Sequence, residues 1–208
     1  MNSANTHGLG FVHRFVPAEA DGRTPLLLLH GTGGDESDLI PFGLQLSPGA
    51  ALLSPRGKVN EGGAARFFRR RAEGVFDTED LAFRTNELAD FMVQAQKVYG
   101  LAEPIAIGFS NGANIAWSLL YNRPETIAGA ILIRAMLPFE PPSLPDIKNV
   151  PILILSGASD PIVSVETRDR LAQSLKSAGA DVRYEVLPAG HQLTRQDLAL
   201  ASEWLRGH

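Results

Sequence analysis

Cysteine is absent from all 208 residues. Its absence excludes disulfides, thiolate metal sites and a cysteine nucleophile together, and it leaves no sign of an oxidising compartment. An excess of positive charge is missing too. Against 23 Asp and Glu stand 19 Lys and Arg, a formal net charge of -4, so the chain lacks the basic balance of a nucleic-acid binder. Long apolar runs are also lacking: "IAGAILIRAM" is broken by Arg134 and is too short to span a bilayer. The first residues, "MNSANTHGLG", have neither the basic nor the apolar region of a leader. The five histidines show no H-x-x-x-H spacing, a poor ligand set without cysteine. No metal, cofactor, nucleic-acid partner or membrane insertion is therefore expected, and a cytoplasmic location is the default.

Repeats and low-complexity linkers are missing as well, which suggests a single domain over 1–208. With 44% apolar residues the chain has enough material for a sizeable core. Short strand-like runs alternate with longer helical ones, the pattern of an α/β fold with a mostly parallel, doubly wound sheet and helices on both faces. "PLLLLHG" (25–31), "AALLSPRG" (50–57), "PIAIGFS" (104–110), "IAGAILI" (127–133) and "VPILILSG" (150–157) read as strands buried on both faces. "DVRYEVLP" (181–188) alternates, with Val182, Tyr184 and Val186 on one face, and "FVHRFVP" does so loosely, so both belong near sheet edges. Apolar steps of three and four predict a helix over 78–99 stopped by Gly100, and another after Ser110 ended by Pro124. Ser164 caps a helix reaching about Ala178, and Thr194 with Asp197 opens the last one.

Gly108-Phe109-Ser110-Asn111-Gly112 has the form G-x-S-x-G at a junction between an apolar strand and an amphipathic helix. That context is what a nucleophile elbow requires. The serine is held in a strained turn, and the glycines avoid collisions with neighbouring strand and helix backbones. A serine needs a base, and the base needs an orienting acid. Asp160 follows the strand "PILILSG" and His191 follows "VRYEVLP", so the order is Ser, Asp, His, each at the carboxyl end of a strand. Taken alone, Asp160 reads as a turn residue before Pro161 and His191 as a loop histidine; their combination with the elbow carries the assignment. His7, His13 and His208 lie near the ends of the sequence or on an edge strand, and His30 reads as a packing residue beneath the adjoining glycine loop.

Acyl transfer also needs donors for an oxyanion. The loop His30-Gly31-Thr32-Gly33-Gly34-Asp35 follows a strand and is glycine-rich enough to approach a substrate, and Asn111, next after the serine, supplies a second backbone N–H, its side chain being incidental to that bond. A dinucleotide G-x-G-x-x-G from Gly31 fails because Glu36 stands where the third glycine belongs. In Arg66-Phe67-Phe68-Arg69-Arg70-Arg71, read as a loop, either the phenylalanines pack down under a solvated basic turn, or Phe67 or Phe68 walls the pocket while an arginine braces the loop or meets a carboxylate. Met136 and Ile162 are further candidates for the pocket wall.

"LLLLHGTGGDESDL", "LLSPRGKV", "RFFRR", "GFSNGANIA", "ASDPIV" and "GHQL" together resemble the carboxylesterase and phospholipase-like branch of the α/β-hydrolase superfamily over nearly the whole chain. They look especially like bacterial members linked to quinone or hydroquinone resistance, with dienelactone hydrolases more distant. The resemblance implies a serine hydrolase of small esters with Thr32 and Asn111 as backbone oxyanion donors, no large cap, and commonly a homodimer. Asn111 stands where acyl-protein thioesterases usually carry Gln, which disfavours a protein or lipid substrate. Thioester cleavage, action on aromatic or quinone-derived compounds, and a non-catalytic binding protein on the same fold are the alternatives.

Overall fold

The computed structural model describes residues 8–20, 22–72, 74–140, 143 and 145–208; His7 lies outside the described residues. In chain order the elements are β1 (His13–Val16), β2 (Leu26–Leu29), α1 (Ile40–Leu46) and β3 (Leu52–Pro55). Next come four short strands, β4 (Val59–Glu61), β5 (Ala64–Arg66), β6 (Arg70–Ala72) and β7 (Val75–Phe76), then the long helix α2 (Thr78–Tyr99). β8 (Ile105–Phe109) leads into α3 (Asn111–Asn122), and a 3-10 turn at Pro124–Thr126 leads to β9 (Gly129–Ile133). The remainder is β10 (Pro151–Gly157), α4 (Val165–Ser177), β11 (Asp181–Leu187) and α5 (Arg195–Leu205).

Seven strands form one sheet in the order β1-β3-β2-β8-β9-β10-β11. Only β1 is antiparallel, pairing with β3, and the two alternating segments occupy the two edges as their patterns predict. The continuous apolar runs are explained by two buried faces. Leu27, Leu29, Ala106 and Ile154 point into the layer with α2, α3 and α4, whereas Leu26, Leu28, Ile107 and Leu155 point into the layer with α1 and α5. Burying each such leucine or isoleucine contributes roughly 1.5–3 kcal/mol, so a charge placed at Leu28 would lose that and stand unpaired in an apolar layer.

Helix boundaries follow capping chemistry. The Asp77 side chain accepts from the Asp80 N–H at the start of α2, and Gly100, at φ 67°, closes its end in the left-handed region. Ser164 caps α4, and Thr194 with Asp197 forms a reciprocal capping box on α5. α3 differs. Its N-cap is Ser110, whose side chain makes no capping bond. Among the described residues no helix is long and apolar enough to cross a membrane.

One local expectation needs correcting. The 57–77 segment is not a plain loop but two hairpins, β4-β5 and β6-β7, whose strands of two or three residues are too short to show a period. α3 ends at Asn122, two residues before Pro124 as expected, and Pro124 also opens a 3-10 turn. On the alternating face of β11, Val182 and Tyr184 pack against the core while Val186 is exposed.

Candidate active site

The order of strands reverses between β2 and β8: the chain leaves β2 toward β3 on one side, then returns to β8 on the other. Beyond the carboxyl ends of strands at such a switch point the diverging connections leave a crevice. The 30–35 loop emerges there from β2 and Ser110 emerges from β8.

Ser110 has φ 51° and ψ -113°, a conformation that costs a residue with a Cβ on the order of 1–3 kcal/mol. Its neighbours permit the turn. A Cβ on Gly108 would lie 2.5 Å from Ala113 Cα, and one on Gly112 would run into the Leu29 carbonyl. Ser110 N–H still donates to Ile133 O at 2.9 Å, which ties the strained residue to β9. Ser110 Oγ is free of capping duty because it meets His191 Nε2 at 2.9 Å.

His191 follows β11, and its Nδ1 lies 2.8 Å from Asp160 Oδ2. The other carboxylate oxygen, Asp160 Oδ1, accepts from the Ile162 and Val163 N–H groups at 2.8 and 3.1 Å, so this buried carboxylate is held at both ends. A carboxylate only accepts, so the imidazole donates from Nδ1 and leaves Nε2 to accept from the serine hydroxyl. The three residues proposed from the sequence are thus one hydrogen-bonded chain, joined across 81 and 31 positions.

The opposite wall is braced by the 66–67 segment. Arg66 Nη1 donates to Thr32 Oγ1 at 2.5 Å, and the Phe67 N–H donates to Asn111 Oδ1 at 2.7 Å. Gly33 N–H adds a bond to Ala65 O at 2.9 Å. The Thr32 and Asn111 backbone N–H groups meet no acceptor among the described residues, and both residues line the cavity that holds Ser110. The Asn111 side chain has a structural part of its own: it anchors Phe67, while its Nδ2 is buried without a partner.

The cavity has a volume of about 340 Å³ and is lined in part by Met136 and Ile162. Phe67 and Phe68 do not line it. Both are buried, Phe67 with its ring 4.7 Å from that of His30 and Phe68 5.3 Å from Phe76, because two adjacent aromatic side chains gain more from the core than from a wet wall. Arg66, Arg70, Phe76 and Phe109 stand there instead. His30 is a packing residue. Its Nε2 accepts from Gly57 N–H at 3.0 Å, so Nδ1 carries the proton and donates to Gly31 O at 2.7 Å, and burial pushes its pKa down.

One structural group escaped the sequence reading. Arg134 follows β9 with φ 54°, and its fully buried guanidinium donates to Gly190 O and Gln192 O, the carbonyls on either side of His191. It also pairs with Asp197 through two bonds of 2.8 and 2.9 Å. A charged residue directly after a buried strand was the available signal.

The sequence profile described as Phospholipase/Carboxylesterase matches residues 77–208. The chain belongs to this family of α/β-hydrolases. MhqD of Bacillus subtilis (strain 168), described as a hydrolase, is 44% identical over 183 residues, covering 87% of this chain and 92% of MhqD. The Bacillus cereus carboxylesterase superposes with a TM-score of 0.92 at 42% identity, covering 95% of this chain and 94% of its own. YahD, in a structure with malic acid, superposes with a TM-score of 0.87 at 30% identity, covering 93% of this chain and 98% of YahD. As a phospholipase/carboxylesterase family member with carboxylesterases among its near relatives, the protein is an ester-hydrolysing enzyme.

Proposed function

We propose that the protein cleaves small carboxylic esters through an acyl-enzyme, with Ser110 as nucleophile, His191 as base and Asp160 as the orienting acid. The observation that carries this reading is the continuous chain Asp160–His191–Ser110, with contacts of 2.8 and 2.9 Å, ending on a serine in a strained turn.

The steps follow from the hydrogen bonds. Ser110 Oγ bonds to the ester carbonyl carbon while its proton passes to His191 Nε2, and Asp160 stabilises the imidazolium without taking the proton. The carbonyl oxygen, now anionic, takes the N–H groups of Thr32 and Asn111; the second lies at the first turn of α3, where orphan donors and the helix dipole favour negative charge. His191 returns its proton to the leaving alcohol as the carbon–oxygen bond breaks. Water then attacks the acyl-serine by the same route and frees the acid.

Substrate size is argued from the cavity, whose volume lies at the low end of the roughly 300–1,000 Å³ typical of ligand sites. A smaller cavity of about 240 Å³ shares Gly74, Met136 and Ile162 with it and continues over Leu137 and Phe139, which gives the departing group room beside the site. YahD's association with malic acid, transferred here, favours a polar small molecule over a lipid.

Labelling by a fluorophosphonate probe and hydrolysis of p-nitrophenyl butyrate test the reading. Ser110→Ala should abolish labelling and lower kcat by roughly 1,000-fold or more while circular dichroism is retained. Labelling that persists in Ser110→Ala would place the nucleophile elsewhere.

A further inference from the structure

One wall of the Ser110 cavity holds two guanidinium groups that share a single carboxylate. Arg66 Nε lies 3.2 Å from Glu61 Oε2, and Arg70 Nε lies 2.8 Å from Glu61 Oε1. Arg66's other contacts are neutral, through Nε to Phe68 O and through Nη1 to Thr32 Oγ1. No acceptor among the described residues meets its Nη2, which is not among the sealed, unpartnered buried atoms. Among the described residues of this wall, two cations face the one carboxylate of Glu61, an excess of one positive charge there, while the carboxylate of Asp160 stands behind His191. The remaining arginine of the cavity adds none, since Arg134 is matched by Asp197.

The excess is held under desolvation. The Arg66 side chain is only 3% exposed, and burial, followed by the charge of Arg70, pulls its pKa down against the opposing effect of Glu61. An arginine does not relieve this by losing its proton. A second anion would. Its place is also fixed relative to the chemistry, because Arg66 is bonded to the side chain of Thr32, the residue whose N–H faces the proposed oxyanion. Met136, Ile162 and Phe109 also line the cavity and suit the uncharged remainder of a ligand.

Building on the ester-hydrolase reading above, we propose that Arg66 and Arg70 form a carboxylate subsite, and that the preferred substrates are esters bearing one carboxylate a short spacer away from the scissile carbonyl. A carboxylate fits better than a phosphate. Its single charge matches the single excess positive charge, and its planar pair of oxygens matches the guanidinium fork.

Two isosteric pairs test this in a pH-stat with the unmodified protein: monoethyl succinate against ethyl 4-methylpentanoate for the acyl side, and 3-acetoxypropanoate against 3-methylbutyl acetate for the alcohol side. In at least one pair the anionic ester should have the higher kcat/KM by about tenfold, the size of one hydrogen bond to a charged group, and the preference should shrink as salt rises. Arg70→Gln, at a half-buried position, should lower that ratio by a similar factor. Arg66→Gln should do so more severely if it folds. Succinate should inhibit ethyl butyrate hydrolysis competitively, whereas succinamide should not. Neutral esters favoured in both pairs would overturn the subsite while leaving the hydrolase reading intact. If no ester is cleaved at all, the hydrolase reading fails, and calorimetry of succinate with Ser110→Ala decides the subsite by itself: binding that weakens in the Ser110→Ala, Arg70→Gln protein supports it, and no binding overturns it.

Discussion

Replacing Arg134 by alanine should bring the protein close to unfolding. All five guanidinium N–H groups are used: Nε to Gly190 O at 2.8 Å, Nη1 to Leu155 O at 3.2 Å and Asp197 Oδ1 at 2.8 Å, Nη2 to Gln192 O at 3.1 Å and Asp197 Oδ2 at 2.9 Å. Both partners of the ion pair are fully buried, so deleting the cation leaves a carboxylate without compensation, at a cost of about 3–5 kcal/mol. Total stability for a domain is about 5–15 kcal/mol. Urea unfolding, read by the fluorescence of Trp117 and Trp204, measures the loss. A decrease below about 1 kcal/mol with an unchanged slope would refute the assignment of this pair as a buried brace.

The same position separates side chain from backbone. At φ 54° a glycine is unstrained and an alanine is not, so Arg134→Gly should be more stable than Arg134→Ala by about 1 kcal/mol although both lose the guanidinium. An alanine variant as stable as the glycine one would mean that the chain relaxes out of the left-handed region at no cost. Activity supplies a third reading. Because Gly190 O and Gln192 O lose their donor, His191 should lose its setting against Ser110, and kcat of the folded fraction should fall by roughly 10–100-fold.

Asn111→Ala should cost about 1–3 kcal/mol for the stranded Phe67 N–H, reduced by removal of the unpartnered Nδ2, while kcat falls by less than the roughly 100-fold expected for a lost oxyanion donor. Urea midpoints and p-nitrophenyl ester kinetics separate the two effects, and a kcat loss as large as that of Ser110→Ala in a folded protein would give the amide side chain a chemical role. For pH, burial lowers the pKa of His30 in the fold against the pull of Gly31 O and of the Asp38, Asp35 and Glu36 carboxylates, so the unfolded chain binds a proton first as pH falls. Its contribution is complete above the unfolded value of about 6.5 and is lost below it, by up to about 1.4 kcal/mol per pH unit until the folded group also titrates. Urea midpoints between pH 7 and 5 should therefore fall more steeply for the wild type than for His30→Gln; equal slopes would refute a buried neutral His30.

The sheet was legible because its strands are buried twice over: runs such as Leu26–Leu29 have no polar face to confuse the period, and each ends at a residue that breaks a strand. The serine, aspartate and histidine could be picked out as candidates for a related reason, since each lies within four residues of the carboxyl end of a strand, β8, β10 and the edge strand β11 respectively. What failed was confined to residues whose role depends on distant partners. Nothing local distinguishes Phe67 on a pocket wall from Phe67 beneath it; His30 and α2, from other parts of the chain, decide the matter. Arg134 and Asp197 are 63 positions apart, and the capping role of Asp197 was readable from Thr194 alone while its ion pair was not. α1 escaped because it has seven residues, a glycine within it and no side-chain cap.

The two halves of the reaction proposed above, proton transfer at His191 and oxyanion stabilisation at Thr32 and Asn111, would have separate supports, and this bears on how each can fail. On the histidine side, Arg134 holds both carbonyls around His191 and is itself held by α5 through Asp197. On the oxyanion side, Arg66 and Phe67 hold Thr32 and Asn111, and Glu61 in turn holds Arg66. Damage to the first support should disturb proton transfer while leaving the donors in place; damage to the second should disturb oxyanion stabilisation while leaving the Ser110–His191 bond intact. Because the supports share no residue, losses from Arg134→Gly and Asn111→Ala should add in transition-state free energy within about 0.5 kcal/mol, as expected for independent sites. Ser110 is the one point where they meet, held by β9 through its N–H and joined to His191 through its Oγ. Coupling beyond that margin would therefore mean that displacement of one support moves the elbow itself, and the strained turn would then be the shared element on which both halves depend.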